Sequence, residues 1–202
     1  MRYLALGDSY TIGEGVAAEG RWPELLARAL RAEGIVLDAP RIIATTGWTT
    51  DELAGAIDAA GPLGTWDLVS LLIGVNNQYR GRGLANYRDE FNALLLRAIA
   101  FAGDRADRVL VLSIPDWGVT RFGAESGRDR EQISRELDAC NVAADEICAV
   151  HGVAFVDITA VSRELGAESA MLVDDGLHPS VAMHALWAAR ALPVARRLLA
   201  GA

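Results

Sequence analysis

Cationic side chains are scarce in this 202-residue chain: 19 Lys and Arg stand against 27 Asp and Glu, a net charge of -8. Binding to a phosphate backbone needs clustered cations, so the balance argues against a nucleic-acid surface and no nucleic-acid partner is expected. Cysteine is nearly absent, with only Cys140 and Cys148. They share one helical pattern, in which a rise of ~1.5 Å per residue sets them ~12 Å apart, beyond disulfide reach. Two reduced, packed thiols are expected. No apolar run approaches the ~20 residues that span a bilayer, so stable membrane insertion is excluded. Met1–Tyr10 holds one Arg and an apolar run too short for a signal-peptide core, which makes the cytoplasm the expected compartment. There is no internal repeat, no low-complexity tract and no interdomain linker.

What is present describes a soluble globular chain, 51% hydrophobic and 23% charged. Five strand-like apolar runs punctuate it: Tyr3–Leu6, Arg41–Ala44, Leu68–Ile73, Val109–Ile114 and Val153–Val156. Helical spacing fills Trp22–Glu33, Tyr87–Ala102, Arg130–Val150 and Val181–Leu199, the last with Pro193 placed to kink it. Alternation of near-continuous apolar strands with helices predicts a parallel sheet covered on both faces. The expected architecture is one three-layer α/β/α domain over residues 1–202. Its five-stranded parallel sheet is expected in the flavodoxin-like order 2-1-3-4-5, with ligands outside the carboxyl ends of the strands.

Polar residues and glycines gather at those ends. Gly7-Asp8-Ser9 follows the first strand, Thr45-Thr46-Gly47-Trp48-Thr49 the second, Gly74-Val75-Asn76-Asn77 the third and Pro115-Asp116-Trp117 the fourth. Asp175-Gly176-Leu177-His178 precedes the last helix. Alone, Ser9 reads equally as a turn residue and helix cap. Acyl transfer needs a nucleophile, a base, an orienting acid and oxyanion donors. Among three histidines, His151 sits at a helix end and His184 inside a helical pattern. His178 alone has a carboxylate three residues back in a tight turn, close enough to reach Nδ1 and leave Nε2 free. Gly47 can offer an unobstructed backbone N–H, and Asn76 an uncharged amide donor.

Together these blocks resemble the SGNH hydrolases, also called GDSL esterases and lipases. Gly7-Asp8-Ser9 matches the first block, with Tyr10 where leucine often stands. Gly47 matches the second, Gly74-Val75-Asn76 the third, and Asp175 with His178 the last. Asn77 stands in place of the family's usual Asp. The match runs from residue 3 to about 185. The resemblance implies a flavodoxin-like fold and ester hydrolysis with no metal or cofactor. It implies a triad of Ser9, His178 and Asp175, with an oxyanion hole from the Ser9 N–H, the Gly47 N–H and the Asn76 amide. Asn77 is expected to be structural.

Other readings fit less well. Gly13-Glu14-Gly15-Val16-Ala17-Ala18 fits a dinucleotide fingerprint but begins some six residues too late after the strand. A flavin phosphate loop at 45–49 would follow the wrong strand. The G-x-S-x-G elbow of α/β-hydrolases fails because Thr11 stands at its second glycine. Trp48, Tyr79, Asp116 and Trp117, with Phe122, are the candidate pocket residues. Arg80 and Arg82 form a basic rim that could meet an anionic substrate. With no long apolar lid, small or short-acyl esters are expected; deacetylation of carbohydrates, thioester cleavage and lysophospholipid cleavage use the same machinery. Oligomeric state is left open.

Overall fold

The computed structural model describes residues 1–200. Its five strands are β1 (Tyr3–Gly7), β2 (Arg41–Ala44), β3 (Leu68–Leu72), β4 (Val109–Leu112) and β5 (Ala154–Val156). All pair in parallel in the order β2-β1-β3-β4-β5. Every residue of β1, β3 and β4 is buried, as strands covered on both faces require. The one polar side chain in β3, Ser70, is satisfied across the ladder by the Tyr3 hydroxyl at 2.9 Å.

Two helical layers cover the sheet. On one side α2 (Trp22–Ala32) packs along α9 (Val181–Ala200); on the other, α3 (Thr50–Ala59), α5 (Leu84–Phe101) and α7 (Arg130–His151) lie in a row. The final helix runs through Pro193 without a break. Pro193 and Ala189, whose carbonyl loses its helical partner, are both exposed, where solvent can reach the helix. Short helices line the carboxyl edge: α1 (Ser9–Ile12), α4 (Val75–Tyr79), α6 (Arg121–Glu125) and α8 (Thr159–Leu165). Sequence periodicity gave no sign of α3, whose buried stripe is only Thr50, Leu53 and Ile57. Its start is marked instead by a capping box of Thr49 and Glu52.

Cys140 and Cys148 are free and buried, and burial, aided by Glu136 and Asp145, pushes their thiols up to about 11 and about 12. No described helix is long and apolar enough to cross a membrane.

Candidate active site

The strand order reverses between β1 and its neighbours β2 and β3, and the loops leaving these three strands meet there. Gly7 ends β1 where a side chain has no room: a Cβ would fall 2.2 Å from Thr11 Oγ1 and 2.5 Å from the Leu72 carbonyl. The chain therefore turns at once into α1, presenting Ser9 in its first position. Asp8 caps this turn, its Oδ1 accepting the Tyr10 N–H at 3.0 Å. Asp8 Oδ2 is buried without a partner, and burial raises the carboxyl to about 7.

After β2, Thr45–Trp48 closes a turn through the Trp48 N–H to the Thr45 carbonyl at 3.3 Å, with Gly47 at φ +87°. A positive φ at the third position is what a type II turn requires. The N–H of its central peptide, that of Gly47, takes no part in the closure. After β3, Asn76 in α4 donates from Nδ2 to the Trp48 carbonyl at 2.9 Å, bringing two predicted oxyanion donors together. The adjacent Asn77 faces elsewhere. Its Oδ1 accepts the Thr50 N–H at 3.1 Å and its Nδ2 donates to Thr50 Oγ1 at 2.6 Å, tying α4 to the start of α3.

The turn before α9 carries the candidate base, His178. Gly176 at φ +71° lets the chain double back, and Asp175 Oδ1 accepts the Leu177 and His178 N–H groups at 2.8 and 2.9 Å. Asp175 Oδ2 meets His178 Nδ1 at 2.6 Å. Partial burial opposes the carboxylate charge, but these bonds outweigh it and hold Asp175 below its usual range. Arg121, donating to the Asp174 carbonyl at 2.6 Å, and the Phe122 N–H to the Gly176 carbonyl at 2.9 Å brace the turn from α6.

One cavity of about 220 Å³ joins these parts, lined by Ser9, Gly47, Asn76 and His178. Among the described residues Ser9 Oγ has no side-chain hydrogen-bond partner; such contacts often tighten only when substrate binds. The expected pocket residues Tyr79, Trp117 and Phe122 form a wall with Val75 and Leu177. Trp48 and Asp116 do not reach it. Trp48 contributes its carbonyl to Asn76 while its ring packs on the core. Asp116 lies behind Trp117, where its carboxylate accepts the Gly118 N–H and Arg163 Nε, both at 2.9 Å. Arg80 and Arg82 are committed to Glu52 and Asp51 rather than left free. Tyr10, Thr46, Val75 and Leu177 also line the cavity; their only sequence signal is that each is the neighbour of a motif residue. No group of three metal-ligating side chains occurs among the described residues.

Residues 5–186 match the GDSL-like lipase/acylhydrolase family, and the chain belongs to it, an ester hydrolase by class. The structure is similar to that of TesA, with a TM-score of 0.77, 21% identity, and 98% of this chain covering 100% of that one. It also resembles a lipase/acylhydrolase from Enterococcus faecalis, with a TM-score of 0.71, 23% identity and coverages of 100% and 97%. A third similar structure is Axe2, an acetylxylan esterase from Geobacillus stearothermophilus, with a TM-score of 0.73, 21% identity and coverages of 96% and 93%. No curated protein sequence matches the chain.

Proposed function

We propose that this protein is a serine esterase acting on small or short-acyl carboxylic esters. The observation that carries the reading is the Asp175–His178 pair, joined at 2.6 Å, opening onto the same cavity as Ser9, Gly47 and Asn76. In this reading His178 Nε2 takes the Ser9 proton as Oγ attacks the ester carbonyl. The Ser9 and Gly47 N–H groups and the Asn76 amide receive the developing oxyanion. The protonated His178 then gives its proton to the departing alcohol, and water reverses the path to free the acid. Asp175 keeps Nδ1 protonated and stabilises the imidazolium.

A volume of about 220 Å³ with an aromatic wall suits a short acyl group. Beyond Tyr79 lies a wider depression of about 540 Å³ lined by Gln78, Arg128, Asp129, Gln132 and Glu136. Its mixed charges and amides favour a second reading, removal of acyl groups from sugar hydroxyls, which the likeness to an acetylxylan esterase also supports.

Ser9→Ala is expected to abolish both p-nitrophenyl acetate hydrolysis and covalent labelling by an organophosphonate, measured by intact mass. Asn76→Ala should lower kcat ~10²–10³-fold while labelling persists at a reduced rate. Survival of labelling in the Ser9 variant would sink the assignment.

A further inference from the structure

We infer that Arg80 is a positioning residue that sets the oxyanion hole by clamping the Gly47 turn from outside the pocket. The inference rests on the oxyanion role proposed for Gly47 and Asn76. Gly47 has little around it: a Cβ there would meet only Arg80 Nη2, at 3.8 Å. Its backbone direction must therefore come from hydrogen bonds rather than from packing. Two consecutive carbonyls of the turn are held from the α4 side. Arg80 Nη2 donates to the Gly47 carbonyl at 2.6 Å, and Asn76 Nδ2 donates to the Trp48 carbonyl at 2.9 Å. The Gly47–Trp48 peptide is thus held at both ends, its carbonyl by Arg80 and its N–H by the Thr45 carbonyl, which fixes the turn against the Thr46–Gly47 peptide that carries the Gly47 N–H. The Gly47 N–H is left pointing away from its own turn.

The other arm of the guanidinium anchors the clamp. Arg80 Nη1 donates to Glu52 Oε1 at 3.1 Å, while Glu52 Oε2 accepts the Thr49 N–H at 2.9 Å and Thr49 Oγ1 at 3.0 Å. Arg80 thus spans both ends of the segment 47–49, one end through a carbonyl and the other through Glu52. A planar fork with fixed donor directions does this better than a flexible ammonium. The Arg80–Glu52 pair is solvent-accessible, at 43% and 39% exposure, and pairs of that kind contribute little to stability. A strong effect on rate with a weak effect on folding is therefore what separates a clamp from a structural brace.

The test is steady-state kinetics on p-nitrophenyl acetate with thermal unfolding of the same samples. Arg80→Ala is expected to lower kcat ~10-fold, short of the full loss of an oxyanion donor, with KM changed less than ~2-fold. Its unfolding temperature should stay close to wild type. Millimolar guanidinium should raise kcat of Arg80→Ala, but not of wild type, against an equal concentration of NaCl. Arg80→Lys should recover part of the loss. A kcat within ~2-fold of wild type in Arg80→Ala, a change confined to KM, or failure of both guanidinium and lysine to restore rate would each overturn the clamp. Ser9→Ala run alongside keeps the two readings apart. If that variant remains active, the nucleophile assignment fails and the clamp with it; if it is dead while Arg80→Ala turns over normally, only the clamp fails.

Discussion

Beside Ser9, the proposed nucleophile, Asp8 is a carboxyl group with one oxygen capping a helix and the other buried without a hydrogen-bond partner. Folding raises it from 3.8 to about 7, chiefly through burial. An acid raised in this way stabilises the fold fully below its unfolded value, and that contribution is lost as pH rises through the folded one. Wild type is therefore expected to lose stability between pH 4 and pH 7 on account of this side chain. Asp8→Asn keeps an acceptor for the Tyr10 N–H and cannot ionise. Chemical denaturation should find it more stable than wild type above pH 7 by something of order 4 kcal/mol, the gap narrowing toward pH 5. An unchanged gap across that range would show that Asp8 does not titrate there.

At the level of elements, α9 carries a second unpaired group. His184 is fully buried, neither ring nitrogen has a partner, and its ring packs edge-on to Trp187 at 5.3 Å. Burial lowers it from 6.5 to about 4, and the neighbouring Arg21 acts in the same direction. The sign is the opposite of that for Asp8: the contribution is complete above pH 6.5 and is lost as pH falls toward 4, when the unfolded chain takes up a proton the folded one refuses. His184→Leu is expected to flatten the acid limb of a plot of unfolding free energy against pH, while leaving it little changed above pH 7. A limb of unaltered slope would assign acid unfolding to other groups. Elements were legible where the pattern was strong. Near-continuous apolar strands such as Leu68–Leu72 and the stripe of α2 stand out because burial on both faces, or on one broad face, dictates them. Helix α3 did not stand out, since tertiary contacts such as the Asn77–Thr50 tie hold its start rather than periodicity. The same tie accounts for Asn77, whose structural part was anticipated but whose partner lies 27 positions away in the chain.

For the whole molecule, the cavity draws on five separate stretches of chain: Ser9–Tyr10, Thr46–Gly47, Val75–Tyr79, Trp117–Phe122 and Leu177–His178. The motif residues on those stretches could be read in sequence because spacing and chemistry constrain them jointly. Side-chain directions in irregular loops could not, so Trp48 and Asp116 were expected on a wall that Val75 and Leu177 share with Tyr79, Trp117 and Phe122. The wall also sets a limit. An acyl chain long enough to pass Tyr79 leaves an apolar pocket for a depression edged by Arg128, Asp129 and Glu136. Across p-nitrophenyl esters from acetyl to decanoyl, kcat/KM is expected to peak among the short acyl groups and fall ~10-fold or more by decanoyl. A preference for the longest chain would show that the aromatic wall yields.

Trp117 holds its place in that wall through Nε1, which donates to Gln78 Oε1 at 2.8 Å. Its ring meets Tyr79 edge-on at 5.4 Å, and the Arg128 guanidinium lies 5.7 Å from its centre. An indole so placed has an excited state whose energy depends on the polarity and charge immediately beside it. Displacing water from the cavity alters that surrounding directly, and of the chain's five tryptophans it is Trp117 that lines the cavity. The protein therefore has a built-in optical probe at its pocket, and occupancy can be followed as a change in emission without a label or a chromogenic leaving group.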